Sequence, residues 1–251
     1  MKIIKLHNRG FTIVELMIAL SILSVLLIAS TVILIQIGAL YTKGVDASSL
    51  ENTNRQVISD VSSQIQYGSS NIPSCTSIIN TCYANVSNTY GYNLNVYAYC
   101  IGNIRYTYIL DVEQGTDSHP LSSELNNVTI PVILWRDTIT PTGACEPLDI
   151  LSTPVMNDNN SEDGNTGASN GYSMMQDRTR LTEFNVQAAT SAAYNDLYNI
   201  DIGMAFGDGD LLSLDTTNTD PTQNHTACLG VTGQQYCDIS NLSSTVEARL
   251  Y

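Results

Sequence analysis

The sequence predicts an α+β protein, with one long N-terminal hydrophobic helix packed on a mostly antiparallel β-sheet head. Three observations predict it. Residues 11–35 form an unbroken apolar run, and residues 50–65 repeat apolar side chains at helical spacing. From about residue 94 onward the alternation changes to period two, the period of strands.

The run FTIVELMIALSILSVLLIASTVILI covers residues 11–35. As a helix rising 1.5 Å per residue it would be about 37 Å long, enough to cross a bilayer core. Lys2, Lys5 and Arg9 precede it and no acidic residue does, so the N-terminus should stay cytoplasmic and everything past residue 36 should face outward. A secretory signal would have a shorter core followed by a small-residue cleavage site. The run carries one charge, Glu15. A plain anchor does not explain it, because a carboxylate among aliphatic side chains is costly and marks a functional position.

The stretch Arg9-Gly10-Phe11-Thr12-Ile13-Val14-Glu15-Leu16 resembles the class III signal of type IV pilins and pseudopilins. The matching features are a short basic leader ending in Gly, then Phe, then Glu at the fifth mature position. The resemblance implies that residues 1–10 are a leader cut between Gly10 and Phe11 by a prepilin peptidase, with N-methylation of the new Phe11 amine. It also implies that Glu15 pairs with the Phe11 amine of a neighbouring subunit as helices pack into a filament. The partners it implies are other pilins, the peptidase, an inner-membrane assembly platform, and membrane lipid around residues 11–36. The location implied is a single-pass cytoplasmic membrane protein with its C-terminal head outside, then an extracellular or periplasmic filament. Major pilins often carry a proline inside this helix, whereas the first proline here is Pro73, which points to a minor subunit.

The helix is expected to continue to about residue 68, with 37–72 as its amphipathic extension. Leu50, Val57, Val61 and Ile65 recur at helical spacing, and Asn54 fills the gap on the same stripe. Glu51 and Arg55 form an i,i+4 pair in the favourable order. Gly38 and Gly44 each weaken a helix by about 1 kcal/mol relative to alanine, so a bend or melted turn is expected there.

Residues 73–251 are expected to form the β-rich head. Leu94 to Cys100 reads as a strand and Gly102-Asn103 as a two-residue hairpin. Ile104 to Val112 then alternates as a half-buried strand. Residues 128–135 (VTIPVILW) read as another, pushed to an edge by Pro131. Ile200, Ile202, Met204 and Phe206 alternate before the turn Gly207-Asp208-Gly209-Asp210, and a last short strand is expected near Val246, Ala248 and Leu250. Residues 157–171 have almost nothing to bury and read as a long exposed loop. The larger plan of the head loosely resembles the bigger minor pilins and pseudopilins.

Six cysteines, Cys75, Cys82, Cys100, Cys145, Cys228 and Cys237, all lie on the exported side of the apolar run. An even number there suits disulfides in an oxidising compartment, and no Cys-x-x-Cys pair suggests zinc. Proximity in sequence favours Cys75–Cys82, Cys100–Cys145 and Cys228–Cys237, although six cysteines allow fifteen pairings.

The chain has 24 acidic and 10 basic residues, a formal charge of −14. Without the three leader cations the count is 7 against 24, or −17. Such a body is repelled by phosphates, which argues against nucleic acid as a partner. No cofactor is expected. Asp208 and Asp210, with Asp215 and Asp220 beyond, could offer oxygen ligands to Ca²⁺, but the spacing misses the EF-hand and such turns are more often solvated. His119 and His225 sit in polar stretches without a nucleophile motif, so an enzyme such as an anchored hydrolase is disfavoured. Tyrosines between Tyr90 and Tyr108 read first as strand packing, and second as an adhesive or glycan-binding patch. The expected function is therefore a filament subunit of a pilus, secretion or competence system. The alternative is a tip adhesin or DNA-uptake module on the same filament.

Overall fold

A computed structural model gives the architecture. It describes residues 11–68, 81–87, 93–112, 115–117, 128–130, 132–139, 145–148, 150, 171–176, 178–188, 197–207, 211–214, 226–229 and 236–249. The chain divides into two compact units, Met1–Thr42 and Lys43–Tyr251.

Helix α1 spans Ile13–Tyr67 without interruption. The expected melted turn at Gly38 or Gly44 is absent. Among the described residues nothing lies within 4 Å of a Cβ built on either glycine, and a helix in such surroundings keeps its own hydrogen bonds as the cheapest way to satisfy its backbone. Within the second unit the helix buries Leu50, Thr53, Asn54, Val57, Val61 and Ile65, which is the expected stripe.

The strands are β1 (Thr81–Ser87), β2 (Asn93–Ile101), β3 (Ile104–Tyr108), β4 (Gly115–Asp117), β5 (Val128–Ile130) and β6 (Leu134–Thr138). They continue with β7 (Tyr172–Ser173), β8 (Thr179–Ala188), β9 (Leu197–Phe206), β10 (Leu212–Leu214), β11 (Thr226–Cys228) and β12 (Asp238–Glu247). One sheet has the order β1-β2-β3-β6-β7 and a second β12-β9-β8, while β4-β5 and β10-β11 are two-stranded. All the pairings are antiparallel.

The β2–β3 hairpin closes at Gly102-Asn103, with Ile101 opposite Ile104. Gly102 takes φ +59°, as the first central residue of a type II′ turn requires. The following strand departs from expectation. It ends at Tyr108, and Thr107 and Ile109, expected on the open face, are buried. The 145–148 segment lies over that face, where the Leu148 amide donates to Thr107 Oγ1 at 3.3 Å. Asp111 then adopts φ 61°, which ends the extended run, and its amide joins the first sheet to Leu181 O of β8 at 2.8 Å.

The strand expected over 128–135 is two strands. β5 pairs with β4, and β6 lies inside the first sheet between β3 and β7 rather than at its edge. Pro131 itself lies outside the described residues. The short C-terminal strand expected near Val246 runs ten residues, Asp238–Glu247, because it pairs along the whole length of β9. The polar stretch at its start conceals it from a hydrophobic-alternation reading. The loop expected over 157–171 lies outside the described residues except for Gly171.

The two larger sheets and the helix stripe share one core, which includes Val61, Tyr106, Phe184, Ile200 and Met204. Phe184 of β8 stands between Tyr99, Tyr106 and Tyr108, with ring centroids 6.3, 5.9 and 4.6 Å away. These three tyrosines are buried, so they pack and do not present an adhesive surface.

Candidate functional site: the N-terminal segment

Thr12 and Glu15 form a reciprocal cap at the start of α1. The Glu15 amide donates to Thr12 Oγ1 at 3.3 Å, and Glu15 Oε2 accepts from the Thr12 amide and the Thr12 hydroxyl at 2.9 Å each. This is the Thr-x-x-Glu capping box, which satisfies two of the amide donors that a helix start leaves without partners. The pattern is visible in the sequence and places Thr12 beside Glu15 as a functional residue that reasoning from charge alone missed.

Every side chain from Phe11 to Gly38 is exposed, which is extreme for so apolar a segment. The polar side chains here do not interrupt the apolar surface. Ser21, Ser24, Ser30 and Thr31 donate back to Ile18, Leu20, Leu26 and Leu27 carbonyls, each at 2.8 Å. Hydroxyls satisfied within the helix add little to the cost of entering hydrocarbon or a packed helix bundle. The segment is therefore built to be covered by something apolar, with one carboxylate retained near its start.

Residues 5–31 match the model of the prokaryotic N-terminal methylation motif. The chain carries this methylation motif. It is the class III signal of type IV pilins, and it spans Phe11, Thr12 and Glu15 together with most of the exposed apolar run. Comparison with curated proteins and with solved structures finds no match. Gly10 and the leader lie outside the described residues, while Phe11 is 85% exposed at the edge of them.

In the second unit, Cys100 is bonded to Cys145 and Cys228 to Cys237. Cys75 lies outside the described residues. Cys82 is described only as backbone, opposite Ala98 in β1. Beside the first bridge, Arg105 pairs with buried Asp137 across the strands and donates to Glu146 O at 2.8 Å. Asp208, Asp210, His119 and His225 lie outside the described residues, so the Ca²⁺ candidate is not placed by the structure.

Proposed function

We propose that this protein is a structural subunit, of the minor pilin or pseudopilin type, in a type IV pilus or a related secretion or competence filament. Residues 1–10 are the leader, residues 11–36 the membrane and filament-core helix, residues 37–72 its amphipathic continuation, and residues 73–251 the disulfide-braced head. The observation that carries this reading is the methylation motif on an exposed apolar segment, residues 11–38, whose single carboxylate is Glu15.

The mechanism is assembly rather than catalysis. In the membrane, the Glu15 carboxylate lies near the cytoplasmic interface and is capped by Thr12. When helices leave the bilayer and pack, water and headgroups are excluded, and an unpaired charge becomes strongly unfavourable. Once Lys2, Lys5 and Arg9 are removed with the leader, the cation nearest Glu15 in sequence is the Phe11 amine that cleavage creates. Pairing Glu15 with that amine on a neighbour would set the axial register between subunits.

N-terminal mass spectrometry of protein recovered from membranes tests the processing step. The expected product begins at N-methylated Phe11. An intact leader, or a cut after residue 35, would overturn the reading.

A further inference from the structure

A charged pair with open hydrogen-bonding atoms stands beside an exposed ring where α1 meets the first sheet. Tyr172 of β7 lies directly opposite Arg136 of β6. Arg136 Cζ is 5.6 Å from the centre of the Tyr172 ring, and Arg136 Nε donates to Asp60 Oδ2 of α1 at 2.8 Å. The hydroxyl of buried Tyr106 donates to the same oxygen at 2.6 Å. Asp60 Oδ2 and Arg136 Nε are thus fixed, and the rest of each head group is presented in a set orientation.

Those remaining atoms are available. Among the described residues, the two terminal nitrogens of Arg136 donate no hydrogen bond and Asp60 Oδ1 accepts none. None of the three is sealed from solvent. Tyr172 is 47% exposed, in the outermost strand of its sheet. Tyr67 also has an arginine over its ring, Arg249 at 5.9 Å. Among the exposed tyrosines described, however, Tyr172 is the one whose arginine is in turn paired with a carboxylate.

We propose that Arg136, Asp60 and Tyr172 form a binding site for a neutral hexose unit of a glycan. The charges select the ligand. Asp60 offsets the Arg136 cation, and the whole chain carries −14, so a carboxylate or phosphate gains little here. A metal cation would meet the guanidinium. A sugar hydroxyl both donates and accepts, so neighbouring hydroxyls can take the Arg136 N–H groups and give a proton to Asp60 Oδ1. The C–H face of a sugar can lie against the exposed Tyr172 ring, which offers apolar area at little entropic cost. Filament assembly through α1 uses none of these three groups.

The test is saturation-transfer NMR on the full chain in a sugar-free detergent. The probes are the methyl glycosides of glucose, galactose, mannose and N-acetylglucosamine. At least one should receive magnetisation from the protein, with a dissociation constant of about 1 mM, as suits a ligand of this size on an open surface. Tyr172→Ala should weaken binding up to about tenfold, and Tyr172→Phe, which keeps the ring, should restore most of it. Arg136→Lys keeps the charge but loses the planar fork, and should weaken binding about tenfold. Tyr172 is an exposed edge residue, so Tyr172→Ala should fold even if Arg136→Lys does not. Tyr236→Ala, at another exposed tyrosine, should titrate like the wild type. No transfer to any of the four sugars, or binding that Tyr172→Ala leaves unchanged, would overturn the proposal.

Discussion

Asp60 of α1 accepts a hydrogen bond from Arg136 Nε of β6 at 2.8 Å, on the same oxygen that takes the Tyr106 hydroxyl at 2.6 Å. The pair is mostly desolvated, with side chains 16% and 21% exposed, and it fastens the helix to the first sheet. Losing one partner of a fully buried pair costs about 3–5 kcal/mol, and this partial exposure should reduce that to about 2–3 kcal/mol for Asp60→Ala. Glu51→Ala should cost no more than about 0.5 kcal/mol, because the Glu51–Arg55 pair is 50% and 65% exposed. Urea unfolding of the full chain in detergent, followed by the fluorescence of buried Trp135, measures both.

Alkaline pH should unfold the head through Tyr99 and Tyr106. Burial raises both phenols above their ordinary value of 10.0, with Tyr198 adding to Tyr99 and Asp60 adding to Tyr106. The folded state then keeps protons that the unfolded state releases. Stability is therefore full below pH 10 and falls as pH rises beyond it, by up to about 1.4 kcal/mol per unit for each phenol. Absorbance at the phenolate band should show at least two of the 14 tyrosines ionising only with the unfolding transition.

Opening the bridge that closes the longer loop should weaken the head more, with a logarithmic dependence on loop length. The bridges Cys100–Cys145 and Cys228–Cys237 close loops with separations of 45 and 9 residues. Chain-entropy arguments give about 4 and about 2.7 kcal/mol respectively. Cys100→Ser with Cys145→Ser should therefore lower the melting temperature more than the paired change at Cys228 and Cys237, as read by thermal melts with and without reductant.

The helix was legible almost to the residue, because its apolar run and its stripe from Leu50 to Ile65 follow one period. Strands with apolar alternation, such as β2 and β9, were equally plain. β8 was not, although its inner positions include Leu181, Phe184 and Val186. The bulge at Thr182 shifts its alternation by one residue and breaks the pattern a reader would count. β12 was read short because Ser240, Ser243 and Ser244 carry no hydrophobic signal, and its pairing is imposed by β9. At the candidate site Glu15 stood out by its charge. Thr12 required noticing the Thr-x-x-Glu spacing, and the Asp60–Arg136 contact joins residues 76 apart, which no local pattern encodes.

The account stands most directly on Glu15. Expressing Glu15→Leu beside the wild type, and comparing the membrane fraction with sheared filaments, separates anchoring from assembly. Membrane recovery should equal or exceed the wild type, since a carboxylate leaves the apolar run, and cleavage after Gly10 should be unchanged. Recovery in filaments should fall at least about tenfold, because loss of one partner of a buried ion pair costs about 3–5 kcal/mol. Equal recovery of Glu15→Leu and wild type in the filament fraction would contradict the assembly role.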